Sequence, residues 1–365
     1  MWEAYLFQTA SGLIGPKLKY ESVTWSSSLN DTESMKFELR KSDLPKVDLN
    51  YWLSPWWAGV VLLWDGFPVV AGPITSIPTE SFYDMSIECR GIRAILARRL
   101  VIDEQSDWNT LSKKKVSYKG ISLGTIAKRV VQLAEQKPGG ALPIAYPYAD
   151  QSANHERNYQ SFNLSNIFVD DVLTKLSGVT DGPDIMFRPR LVHDGQLIFD
   201  MLYGSEDNPR IPQKFEPVWD TTAAKGQVED LRITRTGLYQ THRVFATGAG
   251  MDEGTLIRMA QDLGPTAKGY PLLESVEAYQ SVETPAVLQN HAVGVVRQNK
   301  NQLLEISMTV RADGTFPLGT FFPGDLVTII VKGWGGLKDG ALQARLLNIN
   351  GNDSSNVKMA LQLED

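Results

Sequence analysis

The sequence predicts an α+β chain that is predominantly β: two related small β-barrel modules, an α+β middle domain and a helical insertion. Three observations lead there. Short apolar or alternating runs, separated by turn residues, fill both ends of the 365-residue chain, which is how strands announce themselves. One such stretch occurs twice. Leu53-Ser-Pro-Trp-Trp-Ala-Gly59, followed by Val60-Val-Leu-Leu-Trp64 and Gly72-Pro-Ile74, returns in weakened form as Leu318-Gly-Thr-Phe-Phe-Pro-Gly324, followed by Leu326-Val-Thr-Ile-Ile-Val331; Leu53 and Leu318, like Gly59 and Gly324, stand 265 positions apart. Finally, apolar spacing turns helical only in the middle of the chain and shortly before residue 301. The boundaries that follow are 1–105 for the first β-module, 106–225 for the middle domain, and 226–365 for the second β-module, with the helical insertion at about 255–300.

In the first module the strand-like runs are Trp2 to Gln8, Met35 to Leu39, Gly59 to Trp64, Val69 to Ile74 and Phe82 to Cys89. Asn30-Asp31, Asp65-Gly66 and Pro78 punctuate them. Asp65-Gly66 between two apolar runs is a hairpin signal, because a tight two-residue turn needs positive φ and Gly adopts it freely. A short amphipathic piece, Gly91 to Leu100, closes the module.

In the middle domain Ser122 precedes Leu123, Ile126, Val130, Leu133 and Ala134 at helical spacing, and Lys137-Pro138-Gly139-Gly140 ends that helix. A second helix begins near Ser165, presents Ile167, Phe168, Val172, Leu173 and Leu176, and stops at Gly178. Strands at Asp184 to Leu191 and Gln196 to Tyr203 follow, joined across His193-Asp194-Gly195. Strand signals return at Asp230 to Arg235 and Arg243 to Thr247. Leu256 to Leu263 and Pro285 to Lys300 read as helical, and Leu304 to Val310, Leu326 to Val331 and Val357 to Leu361 complete the second module.

A net charge of −6 argues against a partner gripped through its phosphates. The one basic cluster, Lys113-Lys114-Lys115, sits among polar residues and reads as a solvated loop. The single cysteine, Cys89, excludes an internal disulfide and reads as a small buried hydrophobe. Met1-Trp-Glu-Ala-Tyr-Leu-Phe-Gln has no basic region before an apolar core, so no signal peptide is expected, and no run is long enough for a membrane span.

Catalytic chemistry finds little to stand on. His155, His193, His242 and His291 lie far apart, without metal-ligand spacing. Gly120-Ile-Ser122-Leu-Gly124 fits the nucleophile-elbow pattern, but the polar segment before it is unlike the buried strand that carries such a serine; Ser122 reads as a helix cap. Gly248-Ala-Gly250 lacks the third glycine and the βαβ context of a dinucleotide loop. The carboxylate pairs Asp170-Asp171 and Asp252-Glu253 read as solvated faces. No catalytic residue, cofactor or metal is therefore expected, and the chain is read as a non-enzyme. The aromatic turns are the better candidates. Trp56 and Trp57 precede the first copy's strand, and Phe321 and Phe322 take the corresponding places in the second. Large apolar residues at a loop tip either fold back as a plug or bury against a partner subunit. Trp-rich loops also stack on sugar rings, which leaves a carbohydrate- or receptor-binding alternative.

The order of strand, Leu-x5-Gly-Val-x-Leu, Asp-Gly, Gly-x-Ile and alternating strand resembles the N-terminal domain of siphophage tail-tip hub proteins. These are the minor tail proteins of actinobacterial phages, one family of which is named after a protein of the Rhodococcus phage ReqiPepy6. Phe321-Phe-Pro-Gly-Asp-Leu-Val327 is similar to their C-terminal barrel; Pro55-Trp-Trp-Ala-Gly59 departs from their plainer Pro-Gly turn. The resemblance implies a homotrimeric baseplate hub similar in architecture to the central hub of contractile phages. Two modules per chain in three chains would form a ring of near-sixfold symmetry, docking under the hexameric ring of distal tail protein. Tape measure protein and then DNA would pass through the lumen without specific binding, and tail fibre or receptor-binding proteins would be neighbours. It further implies a virion location at the tail tip after synthesis in the host cytoplasm, without stable membrane insertion.

Overall fold

The computed structural model describes residues 1–104, 108–192, 195–223, 227–280, 282–335 and 337–364, with residue 303 described by its backbone alone. It is predominantly β, with 43% of residues in strands against 18% in helices, so strand pairing organises the fold. Two compact units are present: residues 1–231 with 308–365, and residues 232–307.

The first part of the larger unit contains β1 (Trp2–Gln8), β2 (Ile14–Lys17), β3 (Ser22–Ser28), β4 (Ser34–Arg40), α1 (Leu49–Trp52), β5 (Ala58–Trp64), β6 (Phe67–Glu80), β7 (Asp84–Arg90) and α2 (Arg93–Leu96). Alternation drives the pairing. β3 and β4 bury every second side chain, placing Val23, Trp25, Met35, Phe37 and Leu39 inside, as a two-residue period requires. β5 is buried along its whole length, between β1 and β6. The Asp65-Gly66 hairpin forms as expected, with φ of 47° and 82° at the two turn residues. Pro78 does not end a strand: β6 runs through it to Glu80. The proline is tolerated because, among the described residues, this end of β6 has β7 on one side and no ladder on the other, and a residue without N–H costs least at an edge.

The middle of the chain adds β8 (Lys115–Ile121), α3 (Leu123–Glu135), β9 (Ile144–Ala145), β10 (Ser152–Gln160), α4 (Val169–Ser177), β11 (Ile185–Val192) and β12 (Gln196–Tyr203). Both helices stand where the apolar spacing puts them, although α4 starts at Val169 after a 3-10 turn over Leu164–Asn166 rather than near Ser165. β11 and β12 pair in continuous antiparallel register from Ile185/Tyr203 to Val192/Gln196; His193 and Asp194 of the expected turn lie outside the described residues. One core joins this part to the first. Phe7, Val61 and Leu63 share a cluster with Ile126, Val130, Leu173, Phe187 and Phe199, where each buried large side chain contributes about 1.5–3 kcal/mol.

β13 (Val218–Asp220) and β14 (Val228–Thr236) follow. The smaller unit comprises β15 (Arg243–Thr247), β16 (Ile257–Gln261), α5 (Gly264–Ala267), β17 (Glu274–Ala278) and α6 (Pro285–Asn299). Its sheet runs β16-β15-β17, and α6 covers it through Leu288, Ala292 and Val296 against Val244, Ala246 and Ala260. The helix expected over Leu256 to Leu263 is strand β16 instead. Its backbone pairs antiparallel with β15 from Ile257/Thr247 to Gln261/Arg243, and tertiary pairing overrides the weak helical spacing of so short an apolar run.

The chain closes with β18 (Leu303–Arg311), β19 (Leu326–Val331), β20 (Gly340–Asn352) and β21 (Asn356–Leu363). The expected α+β, mainly β class holds, while the two small β-barrel modules do not stand as closed barrels. One sheet runs β14-β18-β21-β20-β3-β4-β7-β6-β5-β1-β2, with β19 on β20 and β13 on β19, and among the described residues no barrel closes. The two modules are instead fused, because β20 extends beyond β19 and its last residues, Asn348 to Asn352, pair antiparallel with Ser28 to Thr24 of β3.

Under the first module Glu33 is buried beside Gly91. Desolvation pushes its carboxyl pKa up to about 7, with Arg93 offsetting part of the rise. A carboxyl that binds its proton more tightly folded than unfolded lowers stability as pH climbs from its ordinary value to its folded one. Glu33→Gln is therefore expected to be more stable than the parent at pH 8 by on the order of 2–3 kcal/mol. Denaturant titrations across pH should show that gap close near pH 4.5.

Candidate assembly surface

The two modules share one connectivity. In the first, β4 pairs with β7, β7 with β6 and β6 with β5; in the second, β18 lies beside β21, β21 pairs with β20 and β20 with β19. β3 flanks β4 as β14 flanks β18, and β1 flanks β5 as β13 flanks β19. The last correspondence is inexact, since β1 is antiparallel to β5 whereas β13 is parallel to β19. Even an irregularity repeats. Ile74 opposes Cys89 and Ser76 opposes Glu88 across a register shift; Leu346 opposes Leu361 and Asn348 opposes Ala360 across another, every residue 272 positions from its counterpart. Bulges bend a strand and are structural features in their own right. In both modules the bulge lies where the longer strand outruns its hairpin partner.

The aromatic turns have different surroundings. Trp56 is 38% exposed and has φ of 68°, an unusual conformation for a bulky residue that the rest of the structure must hold in place. Its N–H donates to the Ile74 carbonyl at 2.8 Å, and the Arg98 guanidinium lies 5.4 Å from its ring centroid. Trp57 is half-buried against Tyr51 and, edge-on, Trp52. Phe321 is 0% exposed and meets Trp219 edge-to-face at 5.3 Å. Phe322 is half-buried beneath the Arg188 guanidinium, 4.0 Å from its ring centroid. Trp56 is thus the most accessible of the four, and Phe321 is enclosed by its own chain.

A polar network that sequence reasoning missed ties the middle part to the second module. Asp184, just before β11, forms an ion pair with Arg345 of β20 and accepts from the Asn30 amide at 3.3 Å. The Asn30 side-chain oxygen accepts from the Ile185 N–H at 2.7 Å. Beside it Arg188 and Asp325 approach to 3.6 Å, beyond direct hydrogen-bond reach. Desolvation lowers the Arg188 pKa and raises that of Asp325, and the carboxylate's other oxygen accepts from the Phe322 N–H at 2.8 Å. Residues so far apart in sequence carry no local signal of their pairing.

The remaining candidates are structural. Ser122 caps α3: its Oγ accepts from the Thr125 N–H at 3.1 Å and donates to the Thr125 hydroxyl at 2.9 Å, with no bond to a histidine. His155 meets Glu206 at 2.9 Å, buried His242 faces the Pro271 carbonyl, His291 stacks on Tyr279, and His193 lies outside the described residues. Cys89 is buried, and burial pushes its thiol pKa up. Gly248 and Gly250 sit in a turn after β15, with the Val282 carbonyl against one and the Gly254 carbonyl against the other. Among the described residues no group of His, Cys, Asp and Glu is placed to hold a metal ion, and no helix is long and apolar enough to cross a membrane.

No protein-family model matches the chain, and no curated protein matches it either. Solved structures do. A tail protein from Neisseria meningitidis MC58 superposes with a TM-score of 0.60 at 16% identity, over 100% of this chain and 97% of that one. The chain has the fold of a tail protein. The 43 kDa tail protein of prophage MuSo2 from Shewanella oneidensis gives 0.57 at 11% identity, over 99% and 98%. A chain of the lidded Francisella PdpA–VgrG complex gives 0.52 at 9% identity, over 99% of this chain and 52% of that one. At these identities the likeness is one of fold, and it spans both modules, the middle part and the smaller unit.

Two mutational outcomes follow from the geometry. Phe321→Ala should lower unfolding stability by about 3–5 kcal/mol, whereas Trp56→Ala should change it by about 1 kcal/mol or less, as chemical denaturation would show. Ser122→Ala should cost about 1 kcal/mol through its cap and leave any hydrolytic activity of the preparation unchanged.

Proposed function

We propose that the chain is a structural subunit of a phage tail, acting as a hub at the tail tip and without catalysis of its own. The observation that carries this is the duplicated module. One chain builds the same four-stranded connectivity twice and fuses the copies into one sheet, which gives two similar docking surfaces on one polypeptide. A three-chain ring of such subunits carries six modules. It matches a sixfold ring on one face and continues as a threefold structure on the other, so the duplication is what a symmetry adaptor requires.

In this reading the subunit is a homotrimer surrounding the channel for tape measure protein and DNA. Its neighbours are the distal tail protein ring and the tail fibre or receptor-binding proteins. The net charge of −6 suits a lumen that lets a polyanion pass without holding it. The hub belongs to the siphophage minor tail proteins, and its layout divides near residues 105 and 225. Trp56, with Trp57 behind it, is the aromatic surface offered to a neighbour, and Phe322 the second-module counterpart.

Native mass measurement and single-particle imaging of the purified chain across a concentration series test this reading. A threefold ring with an open channel and six similar lobes is expected. A monomer at every concentration, together with host-wall glycan binding that Trp56→Ala or Trp57→Ala abolishes, would replace it with the carbohydrate-binding alternative.

A further inference from the structure

The smaller unit carries a cleft that assembly does not use. Its volume is about 400 Å³, within the range of small-molecule sites, and it lies between the α5 turn and the segment that leaves α6. Hydrogen bonds to a buried histidine tie these segments together. His242 is 0% exposed; its Nδ1 stands 3.1 Å from the Pro271 carbonyl and its Nε2 3.4 Å from the Gln240 amide nitrogen. Gln240 in turn donates to the Lys300 carbonyl at 3.1 Å, where α6 ends. The Asp262 N–H donates to the His242 carbonyl at 2.9 Å, which sets the Asp262 side chain in the wall. One of its oxygens accepts from the Gly264 N–H at 2.9 Å and the other from the Lys300 ammonium at 3.1 Å.

The lining decides what fits. Its side chains are polar apart from Gly264, Pro265 and Tyr270, so an apolar ligand would strand polar groups. Among the described residues, the Lys268 ammonium, the Tyr270 hydroxyl and the Asn301 and Gln302 amides have no hydrogen-bond partner within the chain. The Gly264 N–H and then Lys300 hold the Asp262 carboxyl below the usual carboxylate range, and that carboxylate repels an anion. Lys268 and Lys300 repel a cation. A neutral ligand dense in hydroxyls suits both, because the carboxylate only accepts, the ammoniums only donate and the amides do either, and bonds to charged groups are the stronger ones. Tyr270 supplies an apolar platform beside them. It is 51% exposed, and its ring plane meets that of His242 at 79° with centroids 6.3 Å apart, so the histidine steadies the ring without stacking on it.

We propose that this cleft binds a neutral pyranose, free or as one unit of a glycan, with the ring laid on Tyr270 and its hydroxyls bonded to Asp262, Lys268, Asn301 and Gln302. A ring of carbons bearing hydroxyls around its rim presents an apolar face to the tyrosine and donors and acceptors to the polar wall. The site gives the subunit a sugar-recognising role in addition to assembly. It does not depend on the hub reading, and it is separate from any site at Trp56 and Trp57, which belong to the larger unit.

Saturation-transfer NMR and affinity titration on the full-length chain test it. The neutral probes are glucose, galactose, mannose, rhamnose and N-acetylglucosamine; glucosamine and glucuronate are the charged ones. At least one neutral probe should bind, with a Kd on the order of millimolar for a single ring, and more tightly than either charged probe. Asn301→Ala with Gln302→Ala, and separately Tyr270→Ala, should weaken that binding about tenfold or more. Tyr270→Phe should retain it, and Trp56→Ala should leave it unchanged. The Asn301 and Gln302 side chains bond to no other described residue, so their double variant should keep the parent's Tm. No binding by any neutral probe, tighter binding of a charged probe, or binding that Trp56→Ala abolishes and the cleft variants spare would each overturn the proposal. Native mass on the same samples judges the hub reading separately: trimers without sugar binding overturn the site alone, and monomers that bind sugar at the cleft overturn the hub alone.

Discussion

The ladder between β3 and β20 is the constraint on which the rest of the larger unit depends. It joins residues 24–28 to residues 348–352, so the two modules become one sheet only when the ends of the chain meet. Its register is pinned by side chains as well as backbone. The Asn348 amide lies within hydrogen-bond reach of the Ser26 hydroxyl, the Ser27 carbonyl and the Ser28 hydroxyl. A slip by one residue would exchange the buried and exposed faces of both strands, sending Trp25 and Ile349 out of the core.

The polar network at Asp184 acts on the same join from the other side. Asn30 follows β3, Asp184 precedes β11 and Arg345 lies on β20, so three distant segments meet at one carboxylate. Such groups are costly to bury unless each finds partners, and removing one partner leaves another charge uncompensated. The network therefore contributes less to gross stability than to the uniqueness of the arrangement. The Arg188–Asp325 pair, stacked on Phe322 and bonded to its N–H, places the second module's aromatic turn with the same kind of constraint.

Fusion into one sheet changes what duplication means. Two independent barrels would hide their own edges and could sit anywhere along a flexible chain. Two open modules sharing a ladder have a fixed spacing, set by the register of β3 on β20. Irregularity is conserved where it matters geometrically: the bulges at Ile74/Ser76 and Leu346/Asn348 lie where each long strand leaves its hairpin partner.

What the sequence determined by itself was local. The Asp65-Gly66 turn, the cap at Ser122, the spacing of α3 and the alternation of β4, β12 and β21 each follow from neighbouring residues; a duplication was legible too, although the ladders, which oppose Gly59 to Pro73 and Leu326 to Arg345, align Gly59 with Leu326 rather than with Gly324. Tertiary structure decided the rest. Leu256 to Leu263 became a strand because β15 offered it a ladder. Pro78 stayed inside β6 because no strand among the described residues pairs with that edge. Of the four aromatic residues picked out by pattern, Phe321 went to the interior and Trp56 to the surface, though both follow the same turn logic. The 265-residue spacing of the turns and the 272-residue spacing of the bulged strands cannot both be seen as one repeat, since loop length varies between modules while pairing geometry does not. Pairing across more than 300 residues leaves no periodicity in the chain, because it is specified by which edges remain unsatisfied once the local hairpins have formed.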